Sequence, residues 1–330
     1  MGYSNWSNKA YTSRQTQRKK TKQTAFTYDK QVRQSGKREV HPDMNPFRVT
    51  RESRDSDKHP TSLSIGVIFD VTGSMGRVPR VLQTKLGSLM RLLIQKGYVE
   101  HPQILFGAVG DAYTDSVPLQ IGQFESGLEM DDDLGKIYLE GGGGGQVHET
   151  YELGMYFFAR HTSIDCYEKR GKKGYLFTIG DEMPYKVVRH QHVAQHMGDR
   201  IEADIPIQAI ISEVQERYEY FHIIPTNTSH GKTSRVQNRW KALLSERVLI
   251  LDDEAAVCET IALAIGLCEG VIDDLYDGMD DLIQAGYEQD TTVSATEALN
   301  QYAKKRGPLA RVASGKIPAA AGTPVDDGRL

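Results

Sequence analysis

Asp70, Thr72 and Ser74 stand at alternate positions behind an apolar run, in Ile65-Gly66-Val67-Ile68-Phe69-Asp70-Val71-Thr72-Gly73-Ser74-Met75. One acid and two hydroxyls at that spacing offer oxygen ligands only, which suits a hard cation of the magnesium or manganese kind. With no base and no nucleophile beside it, such a site points to binding rather than to chemistry on a substrate. A second acid, Asp181, follows another apolar run, Leu176-Phe177-Thr178-Ile179-Gly180. Between the two lie five consecutive glycines at 141–145, followed by Gln146-Val147-His148-Glu149-Thr150. Five glycines in a helix or strand carry a large entropic cost, so they form a loop whose backbone can pass close to something. A blander reading of Asp70 and Ser74 is that they cap the following helix.

The elements that must position these residues follow from the apolar pattern. Residues 63–69 form a nearly unbroken apolar run, as a buried parallel strand does. Val78, Val81, Leu82, Leu86, Leu89 and Leu93 recur at helical period, which predicts a helix over 78–94. Strands are expected at 103–109 and 117–124, paired as a hairpin across the turn at 111–115, with a short helix over 128–139. A helix at 148–159 and a strand at 174–179 come next, then helical stretches to about 195 and over 205–216. Strands at 220–224 and 247–251 and helices at 236–244 and 254–267 complete the series. Strand and helix alternate, so the class is α/β: a Rossmann-like, doubly wound, mostly parallel sheet flanked by helices. Ligands bind such sheets at the carboxyl ends of the strands, where Asp70, the glycine loop and Asp181 all fall.

The two ends differ from this core. Residues 1–60 hold fourteen Lys and Arg against six Asp and Glu, a surplus of eight positive charges. The other 270 residues hold 26 against 38, a surplus of twelve negative charges. Residues 1–60 lack an apolar period and read as a disordered basic arm. Arg18-Lys19-Lys20 offers it a weak hold on nucleic acid or on an acidic partner. The folded domain spans 61–269, residues 270–303 read as an acidic helical extension, and 304–330, rich in Pro, Ala and Gly, as a disordered tail. No window approaches the ~18 apolar residues of a membrane span, and no apolar signal core opens the chain, so a cytoplasmic protein is expected. Three cysteines do not make a disulfide framework. Cys258 and Cys268, ten residues apart on one helix, would sit ~15 Å from each other, too far for a bridge.

Asp70-Val71-Thr72-Gly73-Ser74-Met75 after an apolar strand resembles the metal-ion-dependent adhesion site (MIDAS) of von Willebrand factor A (VWA) domains. That family's first loop reads Asp-x-Ser-x-Ser, and Thr72 keeps the first hydroxyl. Its third loop places an Asp after an apolar strand, as Asp181 is here, with Glu182 where the family often has Gly. The second loop departs from the pattern. The usual Thr after a Gly pair falls near Gln146 or Val147, so Thr150, Glu149, Gln146 or water is left to complete the shell. The resemblance covers about residues 62–268. It implies Mg²⁺ or Mn²⁺ held by Asp70, Thr72, Ser74 and Asp181, with an acidic side chain of a partner protein as the last ligand. It also implies a non-enzymatic adaptor, in intracellular members often serving AAA+ ATPases of the MoxR or chelatase type. If Glu149 binds the cation directly, the extra charge weakens its pull on an acidic partner. The competing roles are a building block of a virus or other particle, and a nucleic-acid-associated protein acting through the basic arm.

Other constellations are weaker. The glycine run lacks a following Gly-Lys-Ser/Thr and does not match G-x-G-x-x-G, and Glu149 and Glu152 beside it repel anions. His190, His192 and His196 invite a zinc reading that lacks the neighbouring Glu or Cys. Asp131-Asp132-Asp133 reads as helix-start charge, and Asp111 and Asp115 as a solvated turn rather than a second cation site. No G-x-S-x-G elbow is present.

Overall fold

A computed structural model describes residues 2–142 and 147–306. Gly143, Gly144, Gly145 and Gln146, and most of the tail expected at 304–330, lie outside the described residues. The chain begins with α1 (Asn8–Thr21), α2 (Thr27–Ser35), β1 (Arg51–Ser53), β2 (Leu63–Asp70), α3 (Val78–Met90), β3 (Pro102–Val109), β4 (Leu119–Ile121) and α4 (Glu129–Gly135). Next come β5 (His148–Glu149), α5 (Tyr151–Arg160), β6 (Thr162–Ile164), α6 (Asp165–Glu168), β7 (Gly174–Ile179), β8 (Met183–Pro184), β9 (Val187–Val188), α7 (His190–His196) and β10 (Ile205–Pro206). It continues through α8 (Ile207–Arg217), β11 (Tyr218–Pro225), α9 (Ser234–Leu244), β12 (Val248–Leu251), α10 (Val257–Glu269), α11 (Leu275–Gln284) and α12 (Gln289–Arg306).

The central sheet has the order β12-β11-β7-β2-β3-β4. Every pairing is parallel except β3 with β4. All of β2 is buried, which is why its sequence runs apolar without alternation: both faces of a parallel sheet are covered. The chain leaves β2 through α3 toward β3 and leaves β7 through α8 toward β11, in opposite directions. Right-handed crossovers then place α3 and α8 on opposite faces. α10 packs on α3 and α12, and α5 packs on α8. The strand order therefore reverses between β2 and β7, and the crevice at their carboxyl ends receives Asp70 and Asp181. The α/β, mostly parallel architecture agrees with the sequence pattern.

The basic arm is the main correction. Residues 2–53 carry α1, α2 and β1 rather than disorder. Pattern analysis misses α1 because it buries one large residue, Tyr11, whose hydroxyl donates to the Gln83 carbonyl. Charge supplies the rest. Asp131 is fully buried and pairs with Arg18 at 2.8 Å and Arg14 at 3.4 Å, while Gln83 Nε2 donates to it at 2.8 Å. Arg18 thus pairs with this chain's own α4. Arg33 of α2 donates to the Leu139 carbonyl at 2.7 Å, and β1 adds parallel to β6. Asp131→Ala would leave two guanidinium groups without a buried partner, a loss of about 2 kcal/mol, or roughly 30-fold in undocked population. Limited trypsin digestion should then cut within α1 before the rest of the chain; wild-type and variant arms cut at equal rates would show that Asp131 does not hold α1.

The acidic extension is helical as expected, but it forms a packed layer. α12 lies on α10 and β12, with Leu299 fully buried and Tyr302 edge-on to Phe221 at 5.0 Å. Two helical expectations shift as well. The helix expected from 148 starts at Tyr151, because His148–Glu149 pairs as a strand with Met183–Pro184. The stretch after 182 is mostly extended before α7. No helix among the described residues is long and apolar enough to cross a membrane.

Candidate metal centre

β2 delivers Asp70 and β7 delivers Asp181 to the same crevice. Asp70 Oδ1 accepts from the Thr72 N–H at 2.7 Å and the Thr72 hydroxyl at 2.6 Å. The Thr72 and Ser74 hydroxyls are 3.1 Å apart, and Ser74 Oγ donates to Asp181 Oδ1 at 2.8 Å. An unbroken chain of oxygens therefore runs Asp70–Thr72–Ser74–Asp181 across the switch point. Asp70 and Asp181 are fully buried while Ser74 is part-exposed, so the set opens to solvent at Ser74. Capping does not explain it: α3 has Arg77 as its N-cap and no side-chain cap bond.

The glycine loop passes close to this set. The Gly141 N–H donates to the Val71 carbonyl at 3.1 Å, and the Gly73 N–H to the Gly142 carbonyl at 2.8 Å. A Cβ on Gly73 would stand 3.1 Å from the Gly141 oxygen, a tight fit, and Gly141 has φ +64°, where glycine is favoured.

The second-loop candidates separate. The Thr150 hydroxyl donates to the Gly110 carbonyl and accepts from the Ala112 N–H at 3.3 Å, so it is engaged at the end of β3. Gln146 lies outside the described residues. Glu149, held extended by the β5–β8 pairing, is buried, and its charge bears on Asp70 and Glu182. Burial pushes Asp70 up to about 7, with Asp181 adding to the shift against the hydrogen bonds from Thr72. Burial, then Asp70, pushes Glu182 up to about 8, and the same causes hold Glu149 well above the usual carboxylate range. Glu149 Oε2 and Glu182 Oε2 are buried without a hydrogen-bond partner.

Several residues at this site carried no sequence signal. The Tyr151 hydroxyl reaches Asp70 Oδ2 at 3.4 Å, and its ring stands edge-on to His222 and Trp240. Trp240 Nε1 donates to the Glu182 carbonyl at 2.8 Å. From the loop after β11, the His230 N–H donates to Asp181 Oδ2 at 2.8 Å and the Ser229 N–H to the Ser74 carbonyl at 3.4 Å. Main-chain donors leave no trace in residue type; Gly180, which leaves room for Tyr151, is a signal that the sequence reading did not use.

The other candidates disperse. His190 faces Asp204, whereas His192 and His196 have ring centroids 6.3 Å apart. Asp115 accepts from the Asp111 N–H at 2.7 Å, and Tyr185 donates to both Asp111 oxygens at 3.1 Å. Among the described residues no three of His, Cys, Asp and Glu gather as a metal-holding group. The set at β2 and β7 is instead two carboxylates and two hydroxyls. An all-oxygen donor set, with orphaned buried carboxylate oxygens beside it, fits a hard divalent cation.

No family model matches the chain, and no curated protein matches it. Among solved structures it is similar to the pilus adhesin SpaC of Lactobacillus rhamnosus GG in its open conformation, at 9% identity and a TM-score of 0.41, over 66% of this chain and 31% of that one. It is also similar to proximal thread matrix protein 1 of the mussel byssus, at 12% identity and a TM-score of 0.40, over 62% of this chain and 47% of that one. The match thus spans less than half the length of either.

Proposed function

We propose that this chain is a VWA-type domain that binds Mg²⁺ or Mn²⁺ at Asp70, Thr72, Ser74 and Asp181 and presents the cation to an acidic side chain of a protein partner. The observation that carries this reading is the unbroken Asp70–Thr72–Ser74–Asp181 oxygen chain at the point where the strand order reverses. The bound cation would supply Lewis acidity and an open coordination position. The chain's own residues do the positioning. Thr72 fixes the orientation of Asp70 through two hydrogen bonds, Ser74 bridges to Asp181, and the His230 N–H holds the second oxygen of Asp181. The proposed role is binding through the cation. An adaptor for a MoxR-type AAA+ ATPase is the partner class that the family resemblance favours. A nucleic-acid role through residues 1–60 has less to draw on, because Arg14, Arg18 and Arg33 already pair with this chain's own acids.

An affinity pull-down from native lysate, run with Mg²⁺ and with EDTA and repeated with Asp70→Ala, tests the proposal. A partner captured only with Mg²⁺ and lost in the variant supports it. A partner set indifferent to chelator and to the substitution would overturn it and favour an assembly role.

A further inference from the structure

α1, the residues that follow it and the first half of α3 surround a cavity of about 470 Å³. Arg18, Lys19 and Lys22 reach it from α1 and its C-cap, and Arg80 from the first turn of α3. The buried ring of Phe26 adds an apolar wall. Among the described residues, no Asp or Glu lines this space. Of the four cations Arg18 alone is matched, by Asp131 at 2.8 Å. Lys19, Lys22 and Arg80 are exposed, and among the described residues none of the three forms an ion pair or a side-chain hydrogen bond. The cavity at the start of β7 and β12 makes the contrast. Cations gather there too, but Lys172, Arg247 and Lys305 are matched by Glu269, Glu219 and Glu246.

Like charges held around one space repel, and no acid of the cavity wall offsets them. An anion entering the cavity does. Two ammonium groups and a guanidinium fork are the donors that phosphate oxygens take: lysine as a point charge, arginine through paired N–H groups. Thr24 adds a hydroxyl whose oxygen accepts from the Phe26 N–H at 3.2 Å, so its proton can go to the guest. The carbonyls at the end of α1 do not oppose an anion, because the Lys22 and Gln23 N–H groups already donate to Lys19 and Arg18 at 3.4 and 3.0 Å. The first turn of α3 brings the positive end of its helix. Compactness selects among anions. A peptide brings at most one side-chain carboxylate per residue, whereas linked phosphates carry their charges on adjacent groups and can meet all three cations within one cavity of ligand size.

We propose that the cavity between α1 and α3 binds a small ligand through two or three linked phosphates, held by Lys19, Lys22 and Arg80. The site stands apart from Asp70 and Asp181 and needs no metal. The test is calorimetric titration of tripolyphosphate into the full chain in EDTA. Wild type should bind one tripolyphosphate, more weakly as salt is raised. Lys22→Ala and Arg80→Ala should each weaken binding by about tenfold, the loss of one charged hydrogen bond, and the double variant should bind none that the titration detects. Both side chains are exposed and without a recorded partner, so the variants should melt with wild type. Lys58→Ala, at an exposed lysine that does not line the cavity, should change the affinity by less than about twofold. Asp70→Ala should bind tripolyphosphate as wild type does, so this proposal and the metal reading fail separately. No binding by folded wild type overturns the proposal. So does an equal loss in Lys58→Ala, which would mark diffuse attraction to the whole surface. Tighter binding of an oligoglutamate peptide than of tripolyphosphate, lost in the same two variants, overturns it too and assigns the cavity to an acidic peptide.

Discussion

Saturating Mg²⁺ should raise the melting temperature of the full chain by about 5–10 °C, and Asp70→Ala should erase that rise. Cation at a hundredfold over its dissociation constant stabilises the folded state by about 2.7 kcal/mol, and a domain of this size gains about 2–4 °C per kcal/mol. The pH dependence follows from the same carboxyl. Asp70 titrates at about 7 in the fold, against about 4 when unfolded. Between those values the folded chain keeps a proton that the unfolded chain has released, so stability without cation falls as pH rises from about 4 to about 7. Glu182 extends the fall to about 8. A bound cation displaces these protons, so the Mg²⁺ effect grows across the same window. Asp70→Ala removes the buried acid and should melt no lower than wild type in EDTA at pH 8. Melting curves at pH 5 and pH 8, with Mg²⁺ and with EDTA, check all of this. A variant that keeps the full Mg²⁺ shift would remove Asp70 from the site.

Gly180→Ala should cost about 3 kcal/mol, the upper end of ordinary overpacking. A Cβ at 180 would fall 1.8 Å from the Tyr151 hydroxyl oxygen and 2.7 Å from the ring carbon that bears it. Tyr151 is fully buried between His222 and Trp240, so it has no free direction in which to retreat. Tyr151→Phe removes the closest atom and leaves the ring. Added to Gly180→Ala it should restore about 1 kcal/mol, although Tyr151→Phe alone gives up the contact with Asp70. Urea unfolding of the two single variants and the double variant forms a cycle whose coupling reads the clash directly. Additive losses would place the strain elsewhere.

The sequence analysis reached the sheet because burial on both faces writes itself into residue type, as in residues 63–69. It reached Asp70, Thr72, Ser74 and Asp181 because carboxylates and hydroxyls at strand ends are conspicuous among apolar neighbours. What escaped was held by other means. α1 docks through one aromatic ring and a buried acid 113 residues away from its arginine, and neither produces periodicity. The roof of the site is two main-chain N–H groups, at Ser229 and His230, to which residue identity is nearly irrelevant. Glu149 was a candidate from its place after the glycine run, but its burial depends on a two-residue strand pairing too short to leave a pattern. Thr150 was the natural hydroxyl to suspect, and only the path of the chain at Gly110 shows where that hydroxyl is used.

The docking of the arm also bears on the order in which the molecule can assemble. Arg54 pairs with Asp165, 111 residues later, Arg18 with Asp131, and β1 with β6. At ~5–20 residues per second of synthesis, partners 111 residues apart emerge roughly 5–20 s after one another. For those seconds the arm has Asp29 and Glu52 for Arg33 and Arg54 but lacks Asp131 and Asp165. α1 and α2 are short, and helices of their length are marginal on their own, so the segment stays unfolded until α4 and β6 arrive. Docking of the arm therefore waits on residues 131–165, and the domain closes only after they have left the ribosome.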